Sequence, residues 1–131
     1  MKKGLVFLGF TLLLLIHGCS KEKERGHIGL VFISDVIIPA SVSVDEVALI
    51  HVAAYAPNGC WSNIRINLNK QQENHYKITA TGFFNGQLVC PDILIGADTT
   101  FHLTFDAPGK YYFQSNDNPF EIKYDTIEVV Y

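Results

Sequence analysis

The chain lacks both an excess of positive charge and a long apolar run. Ten lysines and arginines stand against 13 aspartates and glutamates, which gives a formal charge of −3. This balance argues against nucleic acid or anionic lipid as a partner. The most apolar stretch, Gly4 to Ile16, has only about a dozen residues and is too short for a helix that spans a bilayer.

The sequence motifs of common enzymes are also absent. The chain has no phosphate-binding glycine loop and no HExxH motif, and none of its serines lies in a glycine-flanked nucleophile elbow. Its carboxylates are scattered, and so small a domain has little room for the cleft that a carboxylate-pair hydrolase needs. The sequence therefore predicts no catalytic residue and no cofactor.

The N-terminal segment has the organisation of a signal peptide. Lys2 and Lys3 give it a positive start, and the apolar stretch that follows has the size of a signal-peptide core. It ends in LIHG directly before Cys19, a run that resembles the bacterial lipoprotein box. The resemblance implies that residues 1–18 are removed and that Cys19 becomes a lipidated N-terminus. A plain secretory signal with an incidental cysteine is the alternative.

A polar segment follows Cys19. Ser20 to Gly26 has no apolar residue and mixed charge, so residues 19–27 are predicted to form the lipidated cysteine and a flexible tether. Two or three acyl chains on the cysteine would give stable membrane attachment. The charged residues also resemble the export signals of Bacteroidetes lipoproteins, which implies a place in the bacterial cell envelope, at the outer membrane. Removal of residues 1–18 leaves 8 basic and 13 acidic residues, a formal charge of −5.

Residues 28–131 are predicted to form one all-β domain. Apolar and polar residues alternate around residues 64–69, 76–81, 101–106 and 127–131, as in strands with one face on a core. Two runs, 28–38 and 47–55, are nearly continuous in apolar residues, as in strands covered on both faces or at an interface. Asn85-Gly86 is the best short hairpin signal. About seven strands at this spacing predict a single antiparallel β-sandwich.

The stretch TTFHLTFDAPGKYYF, residues 99–113, resembles a strand-to-strand passage of immunoglobulin-like and fibronectin-type domains. In those domains a tyrosine turns the corner, and its hydroxyl returns to nearby backbone. Tyr111 is predicted in this role, with Tyr112 as the alternative, because a shift of one residue exchanges the faces of a strand. The whole chain also resembles the small immunoglobulin-like lipoproteins of Bacteroidetes. That family implies an architecture and no established activity.

Two further cysteines, Cys60 and Cys90, lie in turn-rich sequence. Outside the cytoplasm such a pair most simply forms a disulfide. Trp61 stands beside Cys60, so the bridge is predicted to join the start of a strand to a loop. The alternative is a redox or nucleophilic thiol, which would want a close second cysteine or a basic neighbour.

Candidate metal ligands are sparse. Four histidines remain after processing, none at the spacing of a metal-ligand pair: His27, His51, His75 and His102. Several oxygens in a predicted loop offer a calcium site, although such sequence before a proline is more often a turn: Asn116, Asp117, Asn118 and Glu121. No metal site is predicted.

Aromatic residues give the best argument for binding. Trp61, Phe120 and Tyr124 are predicted at strand ends or loops, where exposed rings would form a binding platform. The alternative is that these rings plug the ends of the sandwich. Asp98-Thr99-Thr100 and Asp125-Thr126-Ile127 resemble the acceptor motif of Bacteroidetes O-glycosylation.

The expected function is a lipid-anchored module that binds or scaffolds at the cell envelope without catalysis. Its partners would be the membrane, through the lipid, and a protein or glycan. A carbohydrate-binding accessory of a surface glycan-uptake system is one alternative, distinguished by an exposed pair of coplanar aromatics. A small metal-dependent or redox enzyme is a second, which would require clustered histidines or a free thiol.

Overall fold

The computed structural model describes residues 25–118 and 121–131, so Cys19, most of the predicted tether and Phe120 lie outside the described residues. The described part contains strands and no helix, which confirms the all-β prediction. Eight strands follow one another: β1 (His27–Ile37), β2 (Ser41–Ser43), β3 (Ala48–Ala56), β4 (Trp61–Gln72), β5 (His75–Phe84), β6 (Ile95–Leu103), β7 (Gly109–Asn118) and β8 (Glu121–Val130).

The strands form one mixed sheet that curls into a half-barrel. Its order is β2-β8-β7-β5-β1-β3-β6, and β4 pairs with the remaining edge of β5. Two pairs, β5 with β7 and β2 with β8, run parallel. They depart from the purely antiparallel arrangement that the sequence predicts.

Strand β1 connects the two parts of the curled sheet. Its first half pairs with β5 from His27 opposite Phe84 to Val31 opposite Ala80. Its second half pairs with β3, starting with Phe32 opposite Tyr55, and the register shifts between Ile33 and Asp35. A bulge bends and twists a strand, which lets a single strand serve both parts of the sheet.

The core follows the alternation in the sequence. Ile78 and Ala80 of β5 and Ile127 and Val129 of β8 are buried, and Ile64, Ile66 and Leu68 of β4 pack against the core. Phe105 is buried just beyond the end of β6. Tyr131, which continues the β8 pattern, is instead 96% exposed at the chain end.

The two nearly continuous apolar runs form strands as predicted, but residues 25–118 and 121–131 do not cover both faces of these strands. Ile28 and Leu30 of β1 are each 75% exposed, and Leu49 of β3 is 54% exposed. Their neighbours Val31, Ile33, Ile50 and Val52 are buried. Each strand therefore has one core face and one apolar outer face.

Tyr111 is the corner tyrosine. Its ring is buried, and its hydroxyl donates a hydrogen bond to the carbonyl oxygen of Ala107 at 2.9 Å. The ring also packs against Phe105, with centroids 4.4 Å apart. Tyr112, the alternative, points to the other face. The hydrogen bond is the one predicted for this tyrosine, whereas the strand pairing around it includes the parallel pairs.

The predicted hairpin at Asn85-Gly86 is wrong. Strand β5 ends at Phe84, and the next strand begins only at Ile95. The side-chain oxygen of Asn85 accepts a hydrogen bond from the backbone N–H of Gln87 at 3.0 Å, and Gly86 has a positive φ of 74°. The two residues therefore make a turn that opens a loop, residues 85–94.

Candidate functional site

Trp61, a predicted binding residue, closes one end of the core. It opens β4 opposite Phe84, and its ring lies 5.4 Å from that of Phe84 and 6.3 Å from that of His27. The indole lies over Gly29 and Gly82, where an added Cβ would come within 3.0 and 3.2 Å of it. Glycine at both positions makes room for the indole, and Trp61 is partly buried against the core.

The candidate metal ligands do not converge. The four histidines lie on β1, β3, β5 and β6, and no group of three His, Cys, Asp or Glu side chains among the described residues could hold a metal ion. His51 instead contacts a threonine, with Nδ1 3.2 Å from Oγ1 of Thr100. Asn116 and Asp117, predicted in a loop, belong to β7, and Glu121 opens β8.

The two cysteines are joined to each other, as predicted. The Cys60–Cys90 disulfide has a Cα–Cα distance of 5.2 Å and ties the residue before β4 to the loop after β5. Neither sulfur is a free thiol, so the reactive-thiol alternative has no nucleophile in this state.

A group of outward-facing side chains on β4, β5, β7 and β8 forms the best candidate site. We call it the platform and define it by Gln72, His75, Tyr112, Gln114 and Tyr124. His75 of β5 stands opposite Tyr112 of β7, and their rings stack with centroids 4.9 Å apart and planes 14° apart. One step further along β7, Gln114 stands opposite Tyr124 of β8, which is 58% exposed.

The alternation of two neighbouring strands places these side chains outside. Ile78 and Ala80 of β5 point into the core, so His75, an odd-numbered residue, points outward. Tyr111 and Phe113 of β7 are buried, so Tyr112 and Gln114 take the opposite face. The parallel pairing of β5 with β7 then brings the two outward rows side by side.

The platform surrounds a shallow depression of about 340 Å³. Amide and aromatic groups line it, and none of the described lining residues is an aspartate, glutamate, lysine or arginine: Gln71, Gln72, His75, Tyr76, Tyr112, Gln114 and Tyr124. Tyr76 supports it from the core side, where its ring stacks on Phe113 at 5.1 Å. Burial, followed by the nearby charge of Asp106, raises the pKa of Tyr76.

A second depression, of about 320 Å³, opens where β1 leaves β5. Its lining is mainly aliphatic, with Leu30, Ile33 and Ile78 among the residues that form it, and Lys77 and Asn116 at its border. It offers few polar groups that could orient a ligand. The platform is therefore the stronger candidate.

The sequence predicts only part of the platform as a binding site. Tyr124 belongs to it, whereas Trp61 lies at another place and Phe120 lies outside the described residues. His75 and Tyr112 were not selected as binding residues, and the sequence signal that could have found them is their outward phase in two alternating strands. Thr126, in a predicted glycosylation motif, is exposed opposite Tyr112.

Comparison with protein-family models, with curated proteins and with solved structures gives no match for this chain. Within the described residues, no helix is long and apolar enough to cross a membrane.

Proposed function

We propose that this protein is a lipid-anchored, non-catalytic module of the bacterial cell envelope that binds glycans on the platform. The observation that carries the proposal is the parallel stack of the exposed His75 ring on the half-buried Tyr112 ring, with glutamine side chains and the exposed Tyr124 beside it. The two rings face each other, so they are not the side-by-side coplanar pair expected from the sequence for a carbohydrate-binding accessory. Aromatic rings offer flat apolar faces to the C–H faces of sugars, and amides can both donate hydrogen bonds to hydroxyl groups and accept them.

The position of the platform suits a protein held by its N-terminus. The described chain enters at His27, which pairs with Phe84 at the far end of β5, whereas His75 opens that strand. Nine residues of strand separate the two ends, a distance of about 30 Å. A domain anchored through Cys19 can therefore present the platform away from the lipid surface. The anchor itself rests on the sequence resemblance of residues 1–19.

The test of glycan binding is a screen of the mature protein against an array of neutral and acidic oligosaccharides, followed by titration calorimetry. Tyr112→Ala should weaken binding about tenfold, because an aromatic contact contributes about 0.5–1.5 kcal/mol and 1.4 kcal/mol is a factor of ten. Gln114→Leu should weaken binding by a similar factor through the lost amide hydrogen bonds.

Tyr131→Ala is the matched control, because this tyrosine is 96% exposed and lies outside the platform. Its affinity should equal that of the wild type. Absence of binding to every oligosaccharide, or equal loss in the Tyr112 and Tyr131 variants, would contradict the proposal.

A further inference from the structure

The loop between β5 and β6 carries four exposed aliphatic side chains. Leu88 is 68% exposed, Val89 85%, Ile93 56% and Leu94 69%. Asp92 is the only charged residue between positions 85 and 94. Large apolar side chains concentrated in one loop are costly in water, so such a loop usually marks a contact surface.

The loop is held in place rather than left loose. The Cys60–Cys90 disulfide ties it to the start of β4. The backbone N–H of Gly59 donates to the carbonyl of Pro91 at 2.8 Å, and that of Asn85 donates to the carbonyl of Cys60 at 3.0 Å. An added Cβ at Gly59 would lie 3.0 Å from Pro91, so the two turns approach closely. The apolar side chains are thus presented on a fixed support.

The loop lies at the end of the domain where the chain arrives from Cys19. It begins directly after Phe84, which pairs with His27 of β1. Gly26 lies against the same strand end, since an added Cβ there would come within 2.8 Å of the carbonyl oxygen of Phe84. Cys19 and Gly26 are seven positions apart, which is about 25 Å at most in an extended chain. A lipid on Cys19 therefore keeps this end of the domain near the bilayer.

We propose that the loop of residues 85–94 docks on the bilayer and inserts Leu88, Val89, Ile93 and Leu94 among the acyl chains. Apolar groups gain free energy on entering the acyl boundary, and a shallow interfacial depth of about 5–10 Å suffices for side chains of this size. The acidic domain and the single Asp92 favour a zwitterionic surface over an anionic one. The geometry rests on the proposed lipid anchor, and the loop adds a second contact that fixes the orientation of the domain.

The test places a fluorescent reporter on the loop. In the Trp61→Phe background, which removes the only tryptophan of the chain, Val89→Trp puts the reporter on the loop, and Val47→Trp puts it on a matched exposed valine before β3. Each mature protein is reconstituted in phosphatidylcholine vesicles with plain or brominated acyl chains. The tryptophan at position 89 should shift to the blue and lose emission to bromine, whereas the tryptophan at position 47 should show neither change.

Unchanged emission at position 89, or equal quenching at the two positions, would overturn the inference. Sedimentation of the wild type and of Leu88→Ser/Val89→Ser would then show whether the loop joins two copies of the chain instead. The intact mass of the N-terminal peptide tests the anchor separately. If Cys19 carries no lipid, the anchor is wrong, and the same reporters mixed with vesicles still decide whether the loop enters the acyl region.

Discussion

Ser115 carries a polar group that the core does not satisfy. Its side chain is 1% exposed, and its hydroxyl has no hydrogen-bond partner among the described residues. One carboxylate oxygen of Asp125, on the neighbouring strand β8, is also buried without a hydrogen-bond partner among the described residues. Burial of an unpaired hydroxyl costs about 1–3 kcal/mol, so these atoms lower the stability of the domain.

Ser115→Ala should therefore raise the free energy of unfolding by about 1 kcal/mol, because it removes the unpaired oxygen and leaves the methylene packing intact. Urea denaturation followed by circular dichroism measures the change. Ser62→Ala is the control, since the Ser62 hydroxyl is exposed and donates to the carbonyl of Phe83 at 3.5 Å. It should change the stability little. A destabilised Ser115 variant would show that its hydroxyl is satisfied after all.

The buried hydroxyl of Tyr111 makes the stability of the domain depend on pH in the alkaline range. Burial, followed by the nearby charge of Asp106, raises the pKa of Tyr111 above its usual value near 10. The folded state therefore holds this proton more tightly than the unfolded state does. The resulting stability is fully present below about pH 10 and is lost as the pH rises through the folded pKa. Tyr76 contributes with the same sign.

Tyr111→Phe should lose about 1 kcal/mol at neutral pH, because the hydrogen bond to Ala107 disappears. Above pH 10 its stability should fall less steeply than that of the wild type, since one raised pKa is gone. Unfolding free energies at pH 7 and across pH 9–11 provide the comparison. Parallel curves for the two proteins would argue against a role of Tyr111 in the alkaline loss.

The disulfide is a covalent link between the residue before β4 and the loop after β5. It closes a sequence separation of 30 residues, which in the chain-entropy model stabilises the fold by roughly 3–4 kcal/mol. Cys60→Ala/Cys90→Ala should lower the unfolding free energy by about that amount, as measured in urea. Reduction of the wild type with a thiol should give the same loss. A much smaller loss in both would mean that the backbone hydrogen bonds of Gly59 and Asn85 hold the loop alone.

Strand positions could be predicted from the sequence, but strand partners could not. The alternation at residues 64–69 and 76–81 marks β4 and β5 and their core faces correctly, because side chains on a strand have a period of two. The same pattern contains no information on which strand lies beside another. The turn residues Asn85-Gly86 predict a hairpin, but in the structure this turn opens a long loop. That loop is tied to Cys60 by long-range contacts.

The platform was hidden from the sequence for the same reason. His75 and Tyr112 are 37 positions apart, and only the parallel pairing of β5 with β7 makes them neighbours. A prediction of a purely antiparallel sandwich would not place the two residues side by side. The sequence predicts an exposed Trp61 because the residue is aromatic and follows a turn, but Gly29 and Gly82 supply the space in which its ring packs against the core. Its role depends on small residues in two other strands.

The curl of the sheet leaves apolar residues on its outer side. Ile28 and Leu30 of β1 are exposed, whereas the run of apolar residues predicts a strand covered on both faces or lying at an interface. Strand β1 pairs with β5 up to Val31 and with β3 from Phe32 onward, and the bulge between Ile33 and Asp35 lies within the β3 pairing. Among the residues that the structure describes, no element packs over the outer face of that first half.

The antiparallel pairing of β1 with β5 also determines how the domain would resist a pulling force. Under the proposed anchoring, a ligand on the platform pulls at the His75 end of β5, and the lipid pulls at the His27 end of β1. The two antiparallel strands are then drawn in opposite directions along their own axes. The load falls on all five register pairs between His27–Val31 and Ala80–Phe84 at once, in shear, rather than opening them one after another. The pairing of β1 with β5 would thus carry the force between the lipid anchor and the bound ligand.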